Sequence, residues 1–150
     1  MIAIASDHAG FGLKKAIMEH LASRNIPYKD FGTYECAVSV DYNDYGEKVA
    51  DAVSSGACEK GIIICGTGIG ISISANKVPG IRAALCTNSY MAKMSREHND
   101  ANVLALGARV IGEGLALDIV DTWLEASFQG GRHQKRVDKF GDIERRHLIK

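Results

Sequence analysis

The stretch Gly61-Ile62-Ile63-Ile64-Cys65-Gly66-Thr67-Gly68-Ile69-Gly70 decides the fold. Gly61 to Cys65 is apolar throughout, without the polar alternation of a strand that faces water on one side. Such a run is expected where both faces of a parallel sheet are covered. Gly66, Gly68 and Gly70 then form a turn, and a short helix is expected near Ile71–Asn76.

The flanking sequence repeats this strand-to-helix pattern. Ile2–Ala5 is a short apolar strand, and Gly10 and Gly12 lead into a helix over Phe11–Arg24 with Leu13, Ile17, Met18 and Leu21 mostly at helical spacing. Ile26–Phe31 reads as a second strand ending at Gly32, and Tyr42–Val53 as a helix closed by Gly56. Beyond the glycine turn come a strand over Ile81–Cys86, a helix over Ser89–His98, a strand over Asn102–Leu106 and a helix over Glu113–Ala126. A last, mostly polar helix is expected to start near Gly131. Alternation of this kind with short connections predicts an α/β fold, a parallel sheet covered on both faces. Ligands of such sheets bind beyond the carboxyl ends of the strands. That rule points to Ser6–Gly10, Cys65–Gly70, Cys86–Asn88 and Gly107–Arg109.

Composition narrows the function. The chain has 150 residues, 46% hydrophobic and 24% charged, which suits one domain over residues 1–150 with a proper core rather than a disordered chain. Lys plus Arg equals Asp plus Glu at 18 each, which argues against nucleic acid as a partner, since phosphate contacts need a basic surplus. The charge is uneven: residues 132–150 carry seven Lys/Arg against three acids, so a basic C-terminal helix or tail could hold an anion. The start, MIAIASDH, lacks a charged n-region and meets Asp7 too early for a signal peptide. Gly61–Asn76 is the longest uncharged run, too short and glycine-rich to cross a membrane, so a cytoplasmic protein is expected. Cys36, Cys58, Cys65 and Cys86 form no C-x-x-C pair, which disfavours disulfides and structural zinc. His8, His20, His98, His133 and His147 give no H-x-x-x-H pair, and no metal site is expected.

The glycine loop fails three familiar tests. A dinucleotide fingerprint needs a glycine where Ile71 stands, a phosphate loop of the NTPase kind needs Gly-Lys-Ser/Thr where Gly70-Ile71-Ser72 stands, and a Cys-based phosphatase needs Arg at Ile71. A tight turn whose glycines merely allow close packing is the plainer alternative. Cys65 changes the weighing. A buried Cys after three isoleucines is usually inert. One placed just before a helix N-terminus can instead supply thiolate, as a base or nucleophile beside backbone N–H donors. Cys36, Cys58 and Cys86 lack that combination and read as structural. Asp7-His8, at the end of the first strand, is hard to explain by packing alone, whereas His98 could simply be a favourable cation at a helix C-terminus. Arg132 and Arg136, four apart, would share one helix face and suit a phosphate, or form a solvated basic face.

Taken in order, Ser6-Asp7-His8-Ala9-Gly10, Asp41-Tyr42, Ile64-Cys65-Gly66-Thr67-Gly68-Ile69-Gly70, Ala75-Asn76-Lys77, Gly80-Ile81-Arg82-Ala83, His98-Asn99-Asp100-Ala101-Asn102 and Gly130-Gly131-Arg132-His133 closely resemble the type B ribose-5-phosphate isomerases and their galactose- and allose-6-phosphate relatives. The resemblance spans roughly residues 1–140. It implies a Rossmann-like three-layer α/β/α sandwich with a five-stranded parallel sheet. It also implies an aldose–ketose isomerase of a sugar phosphate without cofactor or metal, acting as a homodimer or dimer of dimers whose sites are shared between subunits. By the same resemblance Cys65 is the general base and His98 opens the sugar ring. Gly66, Thr67, Gly68, Ile69 and Gly70 hold the enediolate oxygens. Asp7, His8, Tyr42 and Asn99 contact substrate, and Arg109, Arg132 and Arg136 bind the anion. A Glu-using branch of the family carries its base where Ile71 stands, so the chain resembles the Cys branch. One departure is Asp41-Tyr42-Asn43 where Asp-Tyr-Pro is common.

Overall fold

The computed structural model describes residues 1–148. Five strands, β1 (Ile2–Ser6), β2 (Tyr28–Asp30), β3 (Lys60–Cys65), β4 (Ala83–Leu85) and β5 (Val103–Gly107), form one parallel sheet in the order β2-β1-β3-β5-β4. Between and after them run α1 (Phe11–Ser23), α2 (Tyr42–Ser54), α3 (Ile69–Ala75), α4 (Ser89–Glu97), α5 (Glu113–Glu125) and α6 (Gln134–His147), the last preceded by a 3-10 turn at Gly131–His133. The result is the expected Rossmann-like three-layer sandwich.

The unalternating β3 run explains the layers. Ile62 and Ile64 point to one face and meet Ile17 and Leu21 of α1, Ala92 of α4 and Ile119, Val120 and Trp123 of α5. Ile63 and Cys65 point to the other and meet Val49 and Val53 of α2 and Ile71 and Ala75 of α3. Both apolar sets are buried because successive side chains of a strand face opposite ways. Ile62→Ala, at a fully buried position, is expected to cost about 2–5 kcal/mol by lost burial and cavity formation, measurable by chemical denaturation.

Two strands are shorter than expected. β2 begins at Tyr28 rather than Ile26, because Pro27 has no N–H to give a ladder. β4 spans Ala83–Leu85 rather than Ile81–Cys86, because side chains replace ladder partners at its start. Asn102 Oδ1 accepts from Arg82 N–H (2.8 Å), while Asn76 Oδ1 accepts from Ala83 N–H (2.8 Å) and Asn76 Nδ2 donates to Ala83 O (3.0 Å). α3 starts two residues earlier than expected, at Ile69, because Gly68 caps it with a positive φ of 79°. Cys58 and Cys86 are buried as expected, and burial pushes the Cys86 thiol up to about 11. Cys36 corrects the expectation of a structural role, since it lies exposed in the irregular segment between β2 and α2.

Candidate active site

β1, β3 and β5 end in register, with Ser6 beside Ile64 and Cys65 beside Gly107. Hydrogen bonds continue beyond the strands: Asp7 N–H to Ile64 O (3.1 Å), Ala108 N–H to Cys65 O (2.9 Å) and Arg109 N–H to Gly66 O (2.9 Å). Three exit loops are thus held side by side. The chain leaves β1 toward α1 on one face and β3 toward α3 on the other, so their loops diverge and open a crevice. A cleft of about 500 Å³ lies there, lined by Asp7, His8, Tyr42, Cys65, Arg109 and the loop residues Gly66, Thr67, Ile69 and Gly70.

Cys65 is 3% exposed, its side chain on the α2–α3 face. The Gly68 N–H donates to its Sγ at 3.1 Å. Ile69 N–H donates to Thr67 Oγ1 (3.2 Å), and the first helical bond of α3 runs from Ser72 N–H to Gly68 O (3.2 Å). The amides of Gly70 and Ile71 precede this first helical donor and so have no acceptor within the helix. Asp7 is buried, and its Oδ1 accepts from Gly10 N–H (3.0 Å). His8 Nδ1 accepts from Val40 N–H (3.1 Å), which puts the neutral ring's proton on Nε2. Tyr42 lies so close over Gly70 that an added Cβ there would stand 2.4 Å from Tyr42 Cζ. Asn43, in the place of the common proline, donates from Nδ2 to Ser74 Oγ (2.9 Å), and Ser74 Oγ donates to Gly70 O (3.0 Å). This clasp ties the start of α2 to α3 without a proline.

Four predicted residues lie elsewhere. His98 caps the C-terminus of α4 and stacks on His133, with ring centroids 4.1 Å apart and planes 12° from parallel. Asn99 lines a separate hollow with Phe140 and Ile143 of α6. Arg132, in the 3-10 turn, and Arg136, in α6, are exposed, and a helix boundary falls between them rather than one shared helix. None of these four lines the Cys65 cleft among the described residues. The Cys86–Asn88 loop does not reach it either. β5 separates β4 from β3, and Asn88 Oδ1 is engaged in capping α4 through Met91 N–H (2.8 Å).

Sequence reasoning missed Lys14. It is fully buried, with Nζ donating to Asp30 Oδ1 (2.7 Å) and Thr33 O (2.5 Å). It thereby braces the turn after β2, from which the chain returns to His8 through Val40. Its signal was a lysine on the buried stripe shared with Ile17 and Leu21.

Burial, reinforced by His98, Arg132 and Arg136, holds His133 below the ordinary histidine value of 6.5. The native chain then resists a proton that the unfolded chain accepts. Stability from this group is present above about 6.5 and is lost as pH falls toward the lowered native value. Wild type is expected to lose more thermal stability than His133→Gln on acidification through that window, read as the difference between their Tm curves.

A family model described as Ribose/Galactose Isomerase matches residues 2–140. The chain belongs to that family. It is an isomerase, as its relatives are named. Ribose-5-phosphate isomerase B of Escherichia coli is 52% identical over 145 residues, covering 97% of this chain and 97% of that protein. The solved structure of ribose-5-phosphate isomerase B of Clostridium thermocellum matches at a TM-score of 0.96 and 65% identity, over 98% of this chain and 99% of that one. That of Mycoplasma genitalium, solved with bound ribulose-5-phosphate, matches at a TM-score of 0.92 and 43% identity, over 96% and 95%. Among the described residues no helix is long and apolar enough to cross a membrane.

Proposed function

We propose that the 150 residues form one catalytic domain, acting in the cytoplasm, that interconverts D-ribose 5-phosphate and D-ribulose 5-phosphate through a cis-enediolate. The observation that carries this reading is the Cys65 thiol in the cleft, with the Gly68 N–H aimed at its sulfur, in a chain of an isomerase family. An N–H donor directed at sulfur supports the thiolate form. The thiolate takes the C2 proton of the open-chain aldose. The C–H electron pair forms the C1–C2 double bond, and the carbonyl pair moves onto O1. The proton then returns to C1 while that of O2 passes to O1, giving the ketose.

A positioned base contributes about 10²–10⁴-fold, so the enediolate charge needs separate stabilisation. Backbone donors of the Gly66–Gly70 loop suit that task, and one such donor is worth about 3–4 kcal/mol elsewhere. Asp7, His8 and Tyr42 contact the sugar, and Arg109 contributes to anion binding. His98 opens the furanose ring, Asn99 contacts substrate, and Arg132 and Arg136 bind phosphate. Because the latter four lie outside the Cys65 cleft, a second copy of the chain supplies them, and the active form is a homodimer or a dimer of dimers. Arg132→Ala is expected to raise KM for the phosphorylated sugar by about tenfold or more, as loss of a charge-assisted pair would. Steady-state kinetics check this.

Proton NMR of ribose 5-phosphate with the protein in D₂O tests the reading. The expected result is loss of the C2–H signal and growth of ribulose 5-phosphate carrying deuterium at C1. Activity on allose 6-phosphate or galactose 6-phosphate alone would move the assignment to a six-carbon substrate, which the family description accommodates. No exchange with any of them would leave a sugar-phosphate-binding module, and a stoichiometric Cys65 adduct without turnover would point to a thiol-reactive protein.

A further inference from the structure

Asp100 directly follows His98 and Asn99 and adopts a left-handed backbone, φ 47°, which a non-glycine residue holds at some cost. Such a conformation persists where its surroundings determine it, and two arginines do so here. Arg96 Nη1 donates to Asp100 Oδ1 (3.0 Å), and Arg82 Nη2 donates to Asp100 Oδ2 (3.3 Å). Arg82 Nε also donates to the Asp100 carbonyl (2.8 Å), and Arg96 Nη1 to that of Ala101 (2.6 Å). Arg96 is 8% exposed, and its guanidinium lies over the fully buried Trp123 ring, 5.7 Å from the centroid.

Ending a helix requires none of this, since a glycine supplies the left-handed turn. What the cluster adds is direction. Both carboxylate oxygens and the backbone carbonyl of Asp100 are held from α4 and from the residue before β4. The two residues ahead of it therefore leave α4 along one path, with the His98 ring parallel to His133 and Asn99 at the surface. We propose, resting on the ring-opening role given above to His98, that Asp100 is a positioning residue: clamped by Arg82 and Arg96, it orients His98 for opening of the sugar ring.

Ribulose 5-phosphate separates positioning from simple support of the fold. Its C5 oxygen carries the phosphate, so it cannot close a furanose ring, and exchange of its C1 proton in D₂O reads enolisation alone. Asp100→Gly keeps the backbone conformation accessible and removes the carboxylate. It is expected to slow turnover of ribose 5-phosphate by about tenfold or more, the scale of a misplaced catalytic group. Exchange on ribulose 5-phosphate should stay within about twofold of wild type, since that chemistry does not pass through His98. The His98 imidazole resonances, identified by their loss in His98→Asn, should move toward those of a free histidine as stacking on His133 loosens.

Equal losses on both substrates would overturn the proposal, as would unmoved His98 resonances. If Asp100→Gly fails to fold, Asp100→Asn, which tolerates the left-handed conformation and keeps one acceptor, is read by the same ratio and resonances. Should the wild type turn over no sugar phosphate, the functional reading fails, and the His98 resonances in either variant still decide whether Asp100 holds that ring.

Discussion

Cys65→Ala is expected to lower turnover of ribose 5-phosphate by about 10²–10⁴-fold, the range a positioned base contributes. Affinity for the sugar phosphate should change little. Cys65 sits on the floor of the cleft with one side in the α2–α3 core, and alanine keeps the apolar part of that packing. The phosphate is proposed to be held by arginines rather than by this thiol, so KM should move far less than kcat. Deuterium exchange on ribulose 5-phosphate should fall by the same factor as turnover, because both need the same proton transfer. Retained exchange in the variant would remove Cys65 as the base. A large rise in KM at unchanged kcat would recast it as a binding residue.

The second large effect belongs to Gly68. Its φ of 79° is costly for any residue with a Cβ, by about 1–2 kcal/mol. A Cβ there would also stand 2.5 Å from Leu85 Cδ1 and 2.9 Å from the Leu106 carbonyl carbon. The Leu106 backbone belongs to β5 and cannot yield freely, so overpacking adds about 1–3 kcal/mol. Gly68→Ala is therefore expected to lose about 2–5 kcal/mol of stability in denaturant titration, from these two terms together. It should also lose activity beyond what unfolding explains. The same residue caps α3 and aims its N–H at Cys65 Sγ, so displacing it moves the base and the adjacent amides together. Full specific activity in the folded fraction would show that the loop adapts without cost to the chemistry.

Much of the fold is legible in the sequence because β3 and β5 are apolar on both faces and each is followed by a glycine-bearing turn. Such a pattern leaves few alternatives to a covered parallel sheet. β4 is less legible, because side-chain amides from Asn76 and Asn102 replace ladder partners and no periodicity marks that exchange. In the site, Asp7, His8, Cys65 and the glycine loop follow from strand ends, and their meeting in one cleft follows from register. The role of His98 comes from motif resemblance and that of Arg132 and Arg136 from resemblance together with their four-residue spacing, and the separation of all three from that cleft has no signal in the local sequence. Lys14 and the Arg82–Asp100–Arg96 cluster escape for a related reason. A charged residue on an apolar stripe, or a carboxylate after a helix, says nothing of its partner until the tertiary fold supplies it.

The Asn76 amide at β4 has a consequence for how copies of the chain can meet. A bare edge strand invites another strand, and pairing of that kind grows without a natural end. Here the N–H and C=O of Ala83 are both occupied by one side chain that imitates a neighbouring strand. At that point the backbone has no donor or acceptor left to offer a stranger. A strand approaching β4 would meet an edge already filled at Ala83, which disfavours the open-ended pairing that a bare edge allows.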